Sequence, residues 1–177
     1  IFAQEGIDRD DPEFFAAYIM NQILGGGSFE SRLMTEVREK RGLTYGVYSY
    51  LVPRDLAATY MGSVASANSK IAEAVDVIRE EWRKMAEEGV TAKELQDAKT
   101  YLTGAYPLRF DGNGQIASIL AGMQMQGLPI DYIATRNDKV NAVTLEEVNA
   151  FAAKFMDPDG LHFTIVGQPE GLEAASN

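Results

Sequence analysis

Apolar residues Phe14, Phe15, Tyr18, Ile19, Ile23 and Leu24 cover most sides of one stretch, which predicts a helix from Pro12 to Leu24 buried against a sheet. Asp11 is placed to cap it, and Pro12 suits its first turn. Upstream, Ile1 to Ile7 reads as a strand. After Gly25-Gly26-Gly27 a second helix is predicted from Ser28 to Arg41, stopped by Gly42. From Thr44 the period falls to two. Tyr45, Val47 and Leu51 then share one face and Tyr48, Tyr50 and Val52 the other, as in a strand to Val52. Pro53-Arg54-Asp55 forms a turn, and Leu56 to Ala65 returns as the antiparallel partner.

Helical spacing then takes over. Ile71, Ala74, Val75, Ile78, Trp82 and Met85 make one amphipathic face of a helix from Asn68 to Glu88, which Gly89 stops. Thr91 and Glu94 are spaced as a capping box, with Val90 and Leu95 as the hydrophobic staple, and start a helix from Glu94 to about Tyr106. The device recurs at Thr144 and Glu147, with Val143 and Val148, at the head of a helix from Thr144 to Met156. Helices from Gly114 to Met125 and from Pro129 to Val140 lie between, separated by Gly127. Leu161 to Val166 alternates like a closing strand.

The order is strand, two helices, two strands, several helices, strand. It predicts an α+β fold with helices packed on an antiparallel or mixed sheet, not the alternation of a doubly wound nucleotide-binding fold. Residues 1–169 form a single domain in this reading, and 170–177 a tail or linker. The chain opens inside a strand and without methionine, so it reads as a fragment of a longer chain, with any targeting segment upstream.

A net charge of −10 argues against nucleic acid as partner, because phosphate neutralisation needs a lysine and arginine excess on some face. Residues 30–41 depart from that balance, with four basic and three acidic side chains. There is no cysteine, which excludes disulfides, thiolate metal sites and cysteine nucleophiles. No apolar run is long enough to predict a membrane span.

Three features invite a chemical reading. The glycine run lacks the lysine and hydroxyl residue of a phosphate loop, so it serves a sharp turn between packed helices. His162 is the only histidine, which rules out a multi-histidine metal site in this sequence, and reads as a structural residue on a strand. Glu80, Glu81, Glu87, Glu88, Glu146 and Glu147 fall on outer helix faces or caps, and none is placed as a general base. Arg38 and Tyr45 remain. The first lies in the last turn of a helix and the second enters a strand, so the Gly42 reversal can bring both toward one mouth. Their plainer reading is an arginine set against a helix dipole and a tyrosine in an aromatic strand.

Leu24-Gly25-Gly26-Gly27, Ser31-Arg32-Leu33, Val37-Arg38-Glu39-Lys40 and Gly42-Leu43-Thr44-Tyr45 together resemble the second-domain signature of the pitrilysin/insulinase family of zinc peptidases. The likeness continues through Glu88-Gly89-Val90-Thr91, Tyr106-Pro107-Leu108, Gly127-Leu128-Pro129, Ala142-Val143-Thr144 and Ile165-Val166-Gly167, covering nearly the whole chain in order.

The resemblance implies a domain that completes a closed peptide-binding chamber, its two halves lying in one chain or in two. Zinc in the full enzyme would be held by another domain on an inverted H-x-x-E-H helix, which is missing here. Arg38 and Tyr45 match the arginine and tyrosine that such a half extends toward the substrate carbonyl, where they would stabilise developing charge. The implied activity is zinc-dependent endopeptidase cleavage by the assembly, with this fragment inactive alone. The implied partners are a peptide or unfolded-protein substrate and a zinc-binding domain of the same chain or of a partner subunit, in a homo- or heterodimer. The style of the match suggests a bacterial periplasmic or envelope setting. The alternative from the same resemblance is a non-catalytic structural or interaction subunit, as in respiratory complexes. A small-ligand binding domain built on the same kind of sheet is a third reading.

Overall fold

A computed structural model describes residues 1–27, 30–54 and 56–172. Four strands, β1 (Phe2–Glu5), β2 (Thr44–Val52), β3 (Thr59–Ser66) and β4 (His162–Phe163), form one sheet in the order β2-β3-β1-β4. Every neighbouring pair is antiparallel. Packed with it are α1 (Phe14–Leu24), α2 (Ile71–Glu88), α3 (Ala92–Ala105), α4 (Asn113–Met125), α5 (Tyr132–Ala142) and α6 (Leu145–Phe155). The α+β layout expected from the residue pattern is the one observed.

One sheet face makes the core. Phe2, Gln4, Val47, Ser49 and Tyr60 are buried beneath α1, α2 and α6. Trp82 of α2, fully buried, meets Phe2 edge-on at 5.6 Å and Tyr60 at 4.8 Å, and its indole N–H donates to the Gln4 side-chain oxygen. Gln4 also donates to the Phe155 carbonyl at 2.7 Å and accepts from the Asp157 amide at 3.2 Å. One amide side chain thus ties β1 to α2 and to the end of α6, using the polar groups that burial would otherwise strand.

Among the described residues, the opposite face is not covered in this way. Tyr50 pairs with Met61, Met61 with Ala3, and Ala3 with His162, so these four residues make a row across all four strands, and none is buried. His162 is exposed in this row, as a sheet-face residue should be.

Both capping boxes form as their spacing predicts. Thr91 accepts from the Glu94 amide while Glu94 accepts from the Thr91 amide, and Thr144 with Glu147 repeats this. Their staples Val90, Leu95, Val143 and Val148 are buried.

Several expectations need correction. β3 starts at Thr59 rather than Leu56, whose side chain is 99% exposed, and the closing strand pairs only over His162–Phe163. The amphipathic helix starts at Ile71 and α5 at Tyr132, each later than the pattern suggested. Asp11 caps a turn before α1, accepting from the Glu13 amide at 2.8 Å, and the helix proper begins at Phe14. Glu81 is not on an outer face. It is 4% exposed and paired with Lys84 at 2.9 Å, because helical spacing puts it on the same face of α2 as buried Ile78 and Met85.

Candidate functional site

The expected second helix is wound more widely than an α-helix. Met34–Glu39 is π-helical, with the Lys40 amide bonded to the Thr35 carbonyl five residues back. Part of its predicted start, Ser28 and Phe29, lies outside the described residues. The segment closes at Gly42, whose φ of +60° suits a residue without Cβ. There the Gly42 amide bonds the Arg38 carbonyl at 2.9 Å and the Leu43 amide bonds the Val37 carbonyl at 3.0 Å. This is the usual glycine closure of a helix made one residue wider, as the π winding requires. π-Helical turns are uncommon and concentrate at functional sites.

Arg38 is half-buried in the last turn of this segment. Its neighbours Lys40 and Arg41 are committed elsewhere, both to Glu36, at 2.5 and 2.7 Å. Their hydrogen bonds hold the Glu36 carboxyl below its usual range. The local basic excess visible in sequence is therefore spread over distinct settings, Arg32 on Glu94, Lys40 and Arg41 on Glu36, and Arg38 in the last turn of the segment.

Tyr45 follows at the start of β2, where an irregularity changes the strand's phase. Thr44 pairs with Ser66 and Val47 with Val64, so three steps on β2 match two on β3. The Thr44 hydroxyl fills the bulge, accepting from the Gly46 amide at 3.0 Å and lying 2.7 Å from the Ala65 carbonyl. In consequence Thr44 and Val47 are both buried, and Tyr45 is 96% exposed. The expectation that Tyr45 shares a face with Val47 and Leu51 is thus wrong, because a bulge reverses the alternation. The correction carries Tyr45 out of the core to solvent, with Tyr48 and Tyr50 also exposed on β2.

The glycine run has a second role besides turning. Gly25 lies flat on β2, its carbonyl accepting from the Ser49 amide at 2.9 Å. A Cβ there would fall 2.4 Å from the Ser49 hydroxyl oxygen. Behind it, Ser49 Oγ donates to Asn21 Oδ1 at 2.9 Å and lies 3.2 Å from the Tyr60 hydroxyl, a buried polar link between α1 and the sheet. α1, the glycines and β2 are thereby fixed to one another around the strand that carries Tyr45.

The residues present do not fit a zinc site. His162 stands on the exposed sheet face, and among the described residues no three His, Asp or Glu side chains are grouped to hold a metal ion. Among the described residues, no helix is long and apolar enough to cross a membrane.

A family model described as "Peptidase M16 inactive domain" matches residues 1–102. The chain belongs to this family. The pitrilysin/insulinase resemblance is borne out, and so is its assignment to the domain type that does not carry the metal. A crystal structure of the peptidase M16 inactive domain from Pseudomonas fluorescens is 38% identical, with a TM-score of 0.80 over 90% of this chain and 38% of that one. A protease structure from Helicobacter pylori, 13% identical, shares the fold with a TM-score of 0.78 over 90% of this chain and 38% of that one.

Among curated relatives, a "Non-peptidase homolog YmxG" of Helicobacter pylori is 30% identical over 84% of this M16 domain and 34% of its own length. An "Uncharacterized zinc protease" of Streptomyces coelicolor is 31% identical over 86% and 33%. The chain spans about a third of the length of these relatives. What the match shows for this chain is the domain type, a peptidase M16 inactive domain.

A set of residues that the sequence did not reveal joins α5 to α1 and α3. Arg136 of α5 is only 4% exposed, donating to the Leu102 carbonyl at 2.8 Å, to Asn137 Oδ1 at 2.8 Å and to the Tyr18 hydroxyl at 3.0 Å. Its signal was an arginine between Tyr132 and Val140 at four-residue spacing, where an apolar residue would continue the stripe.

Proposed function

We propose that this M16 domain forms one wall of a peptide-binding chamber in a zinc-dependent endopeptidase and lends Arg38 and Tyr45 to the substrate. The observation that carries the reading is the exposure of Tyr45. A tyrosine 96% exposed at a bulge has no packing role, and in sequence it follows a half-buried arginine across the Gly42 turn. The open sheet face beside it offers aromatic and thioether side chains, Tyr48, Tyr50 and Met61, to an extended chain.

The chemistry follows from the donor types. Arg38 supplies a fixed cationic fork and Tyr45 a phenolic O–H, and both donate hydrogen bonds. Aimed at the carbonyl oxygen of the bond being cut, they strengthen their hold as negative charge builds there, which lowers the barrier. The metal would be held by another domain of the same protein or by a partner subunit.

Contact with substrate is tested by placing a photoreactive benzoylphenylalanine at position 45 in the intact protein. Irradiation with a biotin-labelled peptide should label the protein there, and should not do so with the probe at position 101, where Tyr101 is exposed on α3. Equal labelling at both positions would remove the assignment.

A second reading is favoured by the name of the Helicobacter pylori relative, a non-peptidase homolog. In that case the domain serves assembly or binding, and the intact protein supplied with zinc hydrolyses no peptide.

A further inference from the structure

Between α1, α4 and α5 lies a cavity of about 520 Å³, within the size range of small-molecule sites. Its walls are aromatic and aliphatic, with Phe14, Tyr18, Tyr106 and Met123 among them. Its charged lining is of one sign. Arg9, Arg109 and Arg136 all face it, and no aspartate or glutamate is among the described residues that line it. In a chain of net charge −10 this grouping of cations is unusual.

The arginines are held in place by neutral partners. Arg136 lies 4.4 Å from the centre of the Tyr106 ring, and its three hydrogen bonds go to a backbone carbonyl, an amide oxygen and a hydroxyl. Arg9 donates to the Tyr132 hydroxyl at 2.6 Å and stacks over Phe14 at 4.0 Å. Neither forms an ion pair among the described residues. Aromatic faces and neutral acceptors orient a guanidinium without neutralising it. A nearly buried cation of this kind raises the potential inside the cavity and favours an incoming anion. Arg109, exposed on the turn Pro107–Phe110, supplies a further fork at the cavity.

We propose that this cavity binds an amphiphilic carboxylate, its apolar body against the aromatic walls and its head group on Arg9 and Arg109, with Arg136 fixed behind them. The carboxylate is the C-terminus of an apolar peptide or a free aromatic or aliphatic acid. The planar forks suit its two oxygens. The cavity includes neither Arg38 nor Tyr45, although Tyr50 of the open sheet face also lines it, and the proposal does not depend on the peptidase reading.

Calorimetric titration of the intact protein tests it with four probes: acetyl-Leu-Phe with a free carboxylate, its C-terminal amide, phenylpropionate and inorganic phosphate. The free-acid dipeptide should bind about tenfold or more tightly than its amide. If phenylpropionate binds equally well, the natural ligand is a small free acid, and if it binds much more weakly, a peptide end. Arg109→Gln, on an exposed turn, should lower the affinity for the free acid at least about tenfold with melting unchanged, whereas Lys93→Gln on α3 should not. Arg9→Gln should act in the same direction. Equal binding of acid and amide, phosphate binding as tightly as the acids, or no saturable binding of either acid would overturn the proposal.

Discussion

Arg32 and Glu94 are joined by a two-pronged ion pair, Nε to Oε1 at 2.7 Å and Nη2 to Oε2 at 2.9 Å, and the same guanidinium donates to the Gly89 carbonyl at 2.8 Å. Glu94 also closes the capping box of α3 with Thr91. One carboxylate therefore anchors both the start of α3 and the segment that leads into the π-helical turn bearing Arg38. Burial would raise the Glu94 pKa, but the Arg32 fork and the Thr91 amide outweigh it and hold the carboxyl below its usual range. Replacing Arg32 by Ala should cost about 1–2 kcal/mol in urea unfolding at neutral pH, the value of charged hydrogen bonds discounted for partial exposure.

The pH dependence follows from the same group. A carboxyl whose folded pKa lies below its unfolded value adds stability that is present above the unfolded value, about 4.3 for glutamate, and fades as pH falls through the folded one. Glu94 and Glu36 both act in this sense. The unfolding free energy of the wild type should therefore fall below about pH 4.5, and Arg32→Ala should lose less over that window. Parallel curves for the two proteins would show that Glu94 contributes nothing to the acid limb.

Gly25→Ala tests the contact between the glycine run and β2. Its Cβ would stand 2.4 Å from Ser49 Oγ, 2.8 Å from the Ser49 amide nitrogen and 2.9 Å from a Leu33 methyl. Overpacking of this kind costs about 2 kcal/mol or more. Gly104→Ala on α3, where a Cβ meets nothing within 4 Å, should stabilise the helix by a few tenths of a kcal/mol up to about 1 kcal/mol. Denaturant midpoints of the two variants should thus move in opposite directions.

Gln4→Leu should be among the costlier single changes in the core. It leaves the Trp82 indole N–H, the Asp157 amide and the Phe155 carbonyl without their partner. Stranded buried groups cost about 1–3 kcal/mol each. Adding Trp82→Phe removes one of them, so the double variant should be less destabilised than the two single effects summed. Strict additivity in denaturant unfolding would show that the Gln4–Trp82 bond is unimportant.

What the sequence made legible was local. The boxes at Thr91–Glu94 and Thr144–Glu147 need only residues three apart, and the order of helices and strands needs only period and punctuation. What it hid was set by tertiary contacts. The bulge that turns Tyr45 outward is a register mismatch with β3, for which Gly46 inside the strand is a local but ambiguous mark. The π winding of Met34–Glu39 has no compositional mark, and its effect is to place Arg38 at the Gly42 reversal. The cavity arginines come from residues 9, 109 and 136, which no spacing rule connects. Arg38 and Tyr45 stood out through the family resemblance more than through their own pattern.

The most direct test of the central claim is turnover of an internally quenched peptide by the intact protein, with zinc content measured on the same samples. Arg38→Ala and Tyr45→Phe should each lower kcat by about 100-fold or more with zinc content and melting unchanged, as removal of a preorganised donor does. Wild-type kcat in both variants would contradict the account.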